Sequence, residues 1–497
     1  MAVGSFGILS LLIALLSGGA NDLLDFAPTE AYWKSKNVTV TVDQLTSDIQ
    51  TPHAADVSKL ITTLGGGSFA EREQATTKLL AQGPAALPGL EKAAKDPDPE
   101  IANRARTLIH QIRLNAKGAE VRRLMAIRTL GERKESKALP ALRALLASKE
   151  MFVADYAARA IALIENKPLP PRATPANDLK ADLATLPANC AVVGQLSVHS
   201  TKSISLEDLT KNLPLPPGEN RDALLTQLND HVIQIADQIG NVRLEAITFG
   251  VADTVGPNDG FFAAVVHGQY DANAVNAYLA NLSLPTQNVA GVSVISVPDA
   301  PIAFAFPSNN RALFTSSAQP EKLPIKDVVS ALANPPASHP LLKQPEFAPF
   351  LASLKDDTRF WAVCKVSDSY RAAPVLQPFD TLTLLGQQQK DKLSLRIAGA
   401  GKDAAAVKSA VDEVNQGLNE AKTQIPQITR QLPAMKPLAD FVQSLDCQAS
   451  DKNATLTGAL QGDALLSLPM MLFPVGVPQA VPVQPPPVQQ QVQPNPK

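Results

Sequence analysis

The sequence predicts a multidomain protein in which an α-solenoid of helical repeats precedes an α+β region of two related modules. Three observations lead to this class. Apolar residues recur with the 3.6-residue period of a helix over residues 55–166, strand and helix patterns mix over 179–470, and a proline-rich stretch follows each of them. The chain has 497 residues, more than one hydrophobic core usually holds, and its 45% hydrophobic and 19% charged residues are typical of a folded protein.

Residues 1–20 have the composition of a signal peptide. An uncharged apolar run over 6–16 is followed by small residues, with Gly18 and Ala20 at the positions that signal peptidase requires. The run is shorter than a membrane span of about 20 residues. We therefore expect cleavage after Ala20 and export to the periplasm, cell envelope or exterior. No basic residue precedes the run, so an uncleaved membrane anchor and a buried N-terminal helix remain alternatives.

Residues 21–54 are interpreted as an N-terminal arm. The alternating β-branched residues at 38–42 predict a short strand or an extended arm that covers the first helices. Trp33, next to Tyr32, is expected in the core, with an exposed anchor as the alternative.

The helical repeats over 55–166 contain paired helix patterns that occur twice. Asp98 suits the N-cap of a third helix, and Pro99 suits its first turn. Gly118 is predicted to end this helix, because the apolar pattern starts again after it. A second set of helices then follows, which indicates a repeat array.

Short segments in the two copies are nearly identical. Residues 86–90 read Ala-Leu-Pro-Gly-Leu, and residues 138–142 read Ala-Leu-Pro-Ala-Leu. With the Asp-Pro-x-Pro-Glu-Ile turn at 96–101 and the closing helix at 153–164, they resemble HEAT repeats, including the lyase-type variants of bacteria. The resemblance covers about residues 56–166 and implies a protein-binding or scaffolding solenoid. It does not imply lyase chemistry, because HEAT modules occur in many proteins that are not enzymes.

Two proline-rich segments flank the α+β region. Residues 167–178 predict a stiff linker and therefore a domain boundary. Residues 471–497 are rich in proline and glutamine and cannot bury enough apolar surface to fold, so they predict a disordered tail.

The α+β region is divided into module 1 over 179–335 and module 2 over 336–470. The strand pattern at 360–366 corresponds to the one at 191–198, and a helix of similar sequence follows the predicted hairpin in each module. A final hairpin is predicted around 451–453. This region resembles no family of known function.

Motifs with a chemical role are lacking in the sequence. The six histidines have no metal-ligand spacing, and the Gly-rich residues 65–68 are followed by no phosphate-binding lysine. His267 is expected to have a hydrogen-bonded structural role. Cys190, Cys364 and Cys447 are expected as small buried residues, with one disulfide among them as the alternative. No catalytic residue, cofactor or metal site is predicted.

A basic stripe lies on the predicted repeat helices. Residues 104–143 contain eleven basic and three acidic residues, whereas the whole chain has a net charge of −2. Because the apolar side chains pack inward, the arginines are predicted to project outward, and four of them define a possible binding face for an acidic partner: Arg104, Arg122, Arg123 and Arg133. That partner could be the chain's own α+β half. The simpler interpretation is a solvated helix surface.

These features favour an exported, non-enzymatic binding or scaffold protein of the bacterial cell envelope or exterior. Its partner is unknown, either a protein or an anionic envelope polymer. A nucleic acid partner is not expected from the near-neutral charge, nor is a stable membrane span once the leader is removed. Two alternatives remain. One is an enzyme whose site is assembled in the α+β region without a linear motif, and the other is a structural envelope component tethered through an uncleaved leader.

Overall fold

The structure is a computed structural model. It describes residues 22–50, 57–66, 68–170, 179–197, 206–207, 220–252, 260–282, 284–297, 300–317, 323–334, 336–355, 357–389, 392–431 and 436–461. The predicted leader over 1–20 and the predicted tail over 471–497 lie outside the described residues.

The first part of the described chain is helical. Its helices are α1 (Thr29–Ser35), α2 (Val42–Ile49), α3 (Ser58–Gly65), α4 (Phe69–Gln82), α5 (Leu87–Ala93), α6 (Pro99–Glu132), α7 (Leu139–Ala144) and α8 (Val153–Ile164). Helix α4 begins with a capping box. The Ser68 hydroxyl accepts from the Glu71 N–H at 3.3 Å, and the Glu71 carboxylate accepts from the Ser68 N–H at 2.6 Å.

Helix α6 is longer than the sequence predicts. Its start agrees with the prediction, because Asp98 Oδ1 accepts a hydrogen bond from the Glu100 N–H at 2.8 Å. The predicted end at Gly118 is wrong, since the helix continues through this residue without a break. A Cβ at Gly118 would lie 3.7 Å from Asp237 Oδ1, on a helix of the second half. The glycine lies at a helix–helix contact and does not end α6.

Helix α6 contributes to two separate cores. Its first half packs through Leu108 and Ile112 against α3, α4 and α5. Its second half packs through Leu124 and Leu130 in a core that also contains residues of α1, α2, α8 and one face of the sheet. The helices of the two predicted repeat copies therefore belong to different cores, and the solenoid arrangement stays a prediction.

The N-terminal arm is buried between the helices and the sheet. The strand predicted as one form of 38–42 is not observed, because 38–41 have no regular secondary structure and Val42 begins α2. Thr41 caps this helix by accepting from the Gln44 N–H at 3.2 Å. Trp33 is buried, as predicted, and its Nε1 donates to Thr129 Oγ1 of α6 at 2.9 Å. The arm therefore forms part of the main core.

All the named strands belong to one 12-stranded antiparallel sheet, in the order β11-β12-β10-β9-β8-β1-β2-β3-β7-β6-β5-β4. They are β1 (Cys190–Ser197), β2 (Arg243–Ala252), β3 (Phe261–Gln269), β4 (Thr286–Val289), β5 (Val292–Ser296), β6 (Ile302–Ser308), β7 (Arg311–Ser317), β8 (Thr358–Lys365), β9 (Phe379–Gln389), β10 (Lys392–Gly401), β11 (Asp446–Ser450) and β12 (Asn453–Gln461). The predicted final hairpin corresponds to β11 and β12.

Counted outward from their junction, the first four strands follow the same order in both halves of the sheet, although one half has seven strands and the other five. Three consecutive strands form a meander, β1-β2-β3 or β8-β9-β10, and the last strand of each half, β7 or β12, pairs with the third. The halves meet where β1 pairs antiparallel with β8. The structure thus shows a helical part followed by an antiparallel α+β part, and a common origin of the two modules stays a prediction.

Helices cover both faces of the sheet in its first half. The remaining helices are α9 (Leu179–Thr185), α10 (Arg221–Ile239), α11 (Ala272–Asn281), α12 (Ile325–Ala333), α13 (Ala348–Ala352), α14 (Ala404–Gln431) and α15 (Lys436–Ser444). One face packs through Leu244 and Ile247 on α6 and α10. The opposite face packs through Val193 and Val265 on α9, α12 and residues near α13. None of the helices in the described part of the chain has both the length and the apolar composition of a membrane span.

Candidate binding groove

A groove runs over the junction of the two sheet halves, between α9 and the segment that leads from α13 into β8. We call it the seam groove. It has two adjoining parts of about 470 Å³ and about 300 Å³, and both are lined by Leu179, Leu354 and Trp361. Each volume lies in the range of about 300–1,000 Å³ that is typical of small-ligand sites.

The floor of the seam groove is formed where β8 pairs with β1. Trp361 lies directly opposite Gln195 of β1, so the two side chains project from the same face of the sheet. A Cβ at Gly194 would collide with the Trp361 carbonyl oxygen, and glycine at this position therefore lets the two strands approach. Phe350 packs edge-on against the Trp361 indole at 6.5 Å between ring centroids. These contacts hold Trp361 in the floor.

Helix α9 forms one wall of the groove. The buried carboxylate of Asp182 anchors this helix to the sheet. Asp182 is fully buried, its Oδ2 contacts His267 Nε2, and its Oδ1 lies 3.2 Å from Arg311 Nε. The neighbouring positions Leu179 and Leu183 are thereby turned toward the groove. His267 has the structural role that the sequence predicts, as one partner of this carboxylate.

The two parts of the groove differ in polarity. The smaller part is lined mainly by leucine side chains, including Leu183, Leu342 and Leu351. The larger part adds Gln195, Ser197, Lys355 and Thr358. The groove therefore has an apolar end and a polar end.

His339 lines the apolar part and is held as a neutral imidazole. Its Nε2 lies 2.9 Å from the Pro187 carbonyl oxygen, and its Nδ1 accepts from the Leu341 N–H at 3.2 Å. Burial lowers the pKa of His339, although the hydrogen bond to Pro187 acts in the opposite direction. The imidazole consequently adds no positive charge to this part of the groove at neutral pH.

The other buried titratable groups among the described residues do not line the seam groove. Glu245 of β2 is buried and accepts a hydrogen bond from Gln269 Nε2 at 2.9 Å. Burial raises the pKa of its carboxyl group, against the lowering effect of the Gln269 hydrogen bond and of the Arg243 charge. In the described part of the chain, no cluster of three or more His, Cys, Asp or Glu side chains could hold a metal ion.

The three cysteines are free thiols. Cys190 and Cys447 are buried and Cys364 is half-buried, so the predicted burial is confirmed for two of them, and the alternative of a disulfide is not observed. Burial raises the pKa of Cys190 to about 12, which leaves this thiol protonated at neutral pH.

The four arginines of the predicted binding face do not form one outward surface. Arg104 lies near the N-terminus of α6, where it pairs with Glu73 at 2.9 Å and Glu100 at 2.6 Å. Arg122 lies further along the helix, pairs with Asp48 at 3.0 Å, and stacks over the Trp33 ring. Both side chains are engaged by neighbouring elements.

Arg123 is buried, which corrects the prediction that it projects outward. Its Nη1 lies 2.6 Å from Glu150, and its Nε donates to the Ile49 carbonyl oxygen at 3.1 Å, because α2 and the segment before α8 cover this part of α6. Arg133 donates to the Val40 carbonyl oxygen at 3.3 Å. A binding role for the four arginines stays a prediction.

One residue of the basic stripe does contact the α+β half. Lys117 Nζ lies 2.9 Å from Asp271 Oδ2, at the N-terminus of α11, and 2.8 Å from Glu120 on its own helix. Lys117 is thus paired within the chain, and an acidic partner for the stripe stays a prediction.

Sequence reasoning missed the seam groove. The strand containing Trp361 was predicted, but α9 was not, because its seven residues lie directly after the proline-rich linker. The only sequence signal for the groove is the alternation of side chains along β8, which places Trp361 and Val363 on the same face of the sheet.

No known family model matches the chain, and no curated protein does. Three crystal forms of TP0453 show a distant likeness. Form I is 12% identical with a TM-score of 0.33, and the match covers 59% of this chain and 97% of that one. Form III is 11% identical with a TM-score of 0.33, covering 57% and 96%, and form IV is 11% identical with a TM-score of 0.34, covering 58% and 95%. A likeness this distant carries no argument about function.

Proposed function

We propose that this chain is an exported binding protein of the bacterial cell envelope or exterior, without enzymatic activity, and that the seam groove is its ligand site. The observation that carries the proposal is the groove itself, which combines an apolar wall with a polar mouth on the sheet. Export is supported by the composition of residues 1–20.

In this proposal the HEAT-like helices form the scaffold and the two related modules form the site. The scaffold role is supported by the core that the second half of α6 shares with the sheet. The relation between the modules is supported by their common strand order and by the position of the groove at their junction.

The uncharged, environment-sensitive dye N-phenyl-1-naphthylamine tests the proposal. We expect its fluorescence to rise on binding to the purified protein, and its affinity to fall at least about tenfold in Leu354→Asp, because a carboxylate placed in an apolar wall must lose water. Leu146→Asp is the matched control, since Leu146 is an exposed leucine of the helical half. Circular dichroism and urea unfolding of each variant establish that its fold is retained.

Two results would contradict the proposal. One is the absence of dye binding to the unaltered protein. The other is equal affinity in Leu354→Asp and Leu146→Asp, which would place the bound dye elsewhere on the molecule.

A further inference from the structure

The chemistry along the seam groove indicates which ligand it holds, an inference that rests on the proposed function. At the apolar end, Leu183, Leu342 and Leu351 offer hydrocarbon surface. Both ring nitrogens of His339 already have partners within the chain. A peptide backbone in this part would leave most of its N–H and C=O groups without hydrogen bonds, at a cost that a hydrocarbon chain does not incur.

Two lysines lie at the rim of the groove. Lys180 lines the apolar part and Lys355 lines the polar part, and both side chains are exposed. No Asp or Glu is among the described residues that line either part. Next to Lys355, the Thr358 hydroxyl accepts from the Lys355 backbone N–H at 3.1 Å and so fixes the turn that presents the ammonium group. The rim therefore favours a negatively charged group over a positively charged one.

We infer that the seam groove binds a single-chain amphiphile with an anionic head. The hydrocarbon chain lies along Leu183, Leu342 and Leu351 and reaches the Trp361 indole, while the head remains at the polar mouth near Lys355. Lys180, at the rim of the apolar part, adds a second positive charge to the groove. This arrangement buries apolar surface on both partners and leaves the charged head in contact with water, so that no charge is desolvated. A carboxylate and a phosphate head have the same sign and similar hydrogen-bonding oxygens, and the rim accepts either.

Displacement of N-phenyl-1-naphthylamine by amphiphiles of one chain length tests the inference. Dodecanoate, dodecyl phosphate, dodecyl maltoside and dodecyltrimethylammonium are compared below their micelle-forming concentrations. We expect the two anions to displace the dye at about tenfold lower concentration than the cation, with the neutral maltoside between them. The preference should shrink as added salt shortens the screening length from about 30 Å to about 3 Å.

Charge reversal at the rim supplies the decisive variant. In Lys180→Glu/Lys355→Glu the order should invert, so that the cation displaces the dye at the lower concentration. Lys59→Glu/Lys408→Glu is the matched control, because it changes the net charge equally at two exposed lysines outside the groove. It should keep the preference of the unaltered protein.

Three outcomes would overturn the inference. The first is equal displacement of the dye by the anions and the cation. The second is a preference for anions that remains after charge reversal at Lys180 and Lys355. The third is stronger displacement by a capped peptide with the apolar sequence of residues 464–473 than by dodecanoate. The last would assign the groove to an apolar peptide segment. If the dye binds but the anions and the cation displace it equally, an anionic head is excluded and the proposed function stands. If the dye does not bind, both fail.

Discussion

Replacement of Arg243 by Met tests the ion-pair network that joins the arm, the helices and the sheet. The Arg243 side chain is 1% exposed, its Nε lies 2.7 Å from Asp22 Oδ1 in the arm, and its Nη1 lies 2.6 Å from Asp155 Oδ2 in α8. Its guanidinium carbon lies 5.1 Å from the centre of the Phe152 ring. Methionine fills a similar volume but removes the cation that balances the buried Asp22 carboxylate.

The expected loss follows from the burial of the two carboxylates. Asp22 is fully buried, and removal of one partner of a buried ion pair typically costs about 3–5 kcal/mol. The Asp155 side chain is 20% exposed and can be hydrated once Arg243 is removed, so its lost ion pair adds little to the loss of stability. Burial opposes the charge on Arg243, but Asp22 and Asp155 outweigh this effect and raise its pKa, so the pair stays ionised. We expect the free energy of unfolding to fall by about 3–5 kcal/mol.

Urea unfolding followed by Trp33 fluorescence measures this loss, in a Trp361→Phe background with a single tryptophan. Arg396→Met, at an exposed arginine of β10, is the matched control and should change the free energy by less than about 0.5 kcal/mol. The double variant Asp22→Asn/Arg243→Met should lose about 0.5–3 kcal/mol less than the two single losses together. A loss below about 1 kcal/mol in Arg243→Met, or strictly additive effects, would refute the reasoning.

Four further outcomes are expected. Gly131→Ala should lower the free energy of urea unfolding by about 1–3 kcal/mol, because its Cβ would lie 2.7 Å from the Cα of Ala160. In the same helix, the added methyl group of Gly118→Ala would make only ordinary van der Waals contacts, so this variant should raise the free energy of unfolding by up to about 1 kcal/mol. A lower free energy of unfolding in Gly118→Ala would contradict a continuous α6. His339→Gln should make the stability of the protein less dependent on pH. Burial lowers the pKa of His339, so below about pH 6.5 the unfolded chain binds a proton that the folded chain does not. As the pH is lowered further, the stability of the protein therefore decreases until the pH reaches the folded-state pKa. An unchanged pH profile of unfolding would exclude this role. N-terminal sequencing of the protein from its native host should begin at Asn21, and a mature chain that retains the leader would contradict export with cleavage.

Local signals predicted the elements whose structure depends on nearby residues. Asp98 caps α6 because its carboxylate accepts a hydrogen bond from the backbone N–H two residues later, and the β11–β12 hairpin forms between neighbouring segments. The burial of Trp33 followed from its size and apolar surface. Charge counting was less informative, since eleven basic residues in one stretch do not reveal that Arg123 lies beneath the segment before α8.

The sequence by itself determined that a helical part precedes an α+β part, because helix and strand periods and capping depend on residues a few positions apart. Only the tertiary structure decided that α6 continues through Gly118, because the packing of its two halves in two cores outweighs the low helix propensity of one glycine. The seam groove also depends on tertiary structure, since β1 must pair with β8 before Leu179, Leu354 and Trp361 meet. Partners so far apart in the chain are chosen by the packing of the sheet, which no local pattern encodes.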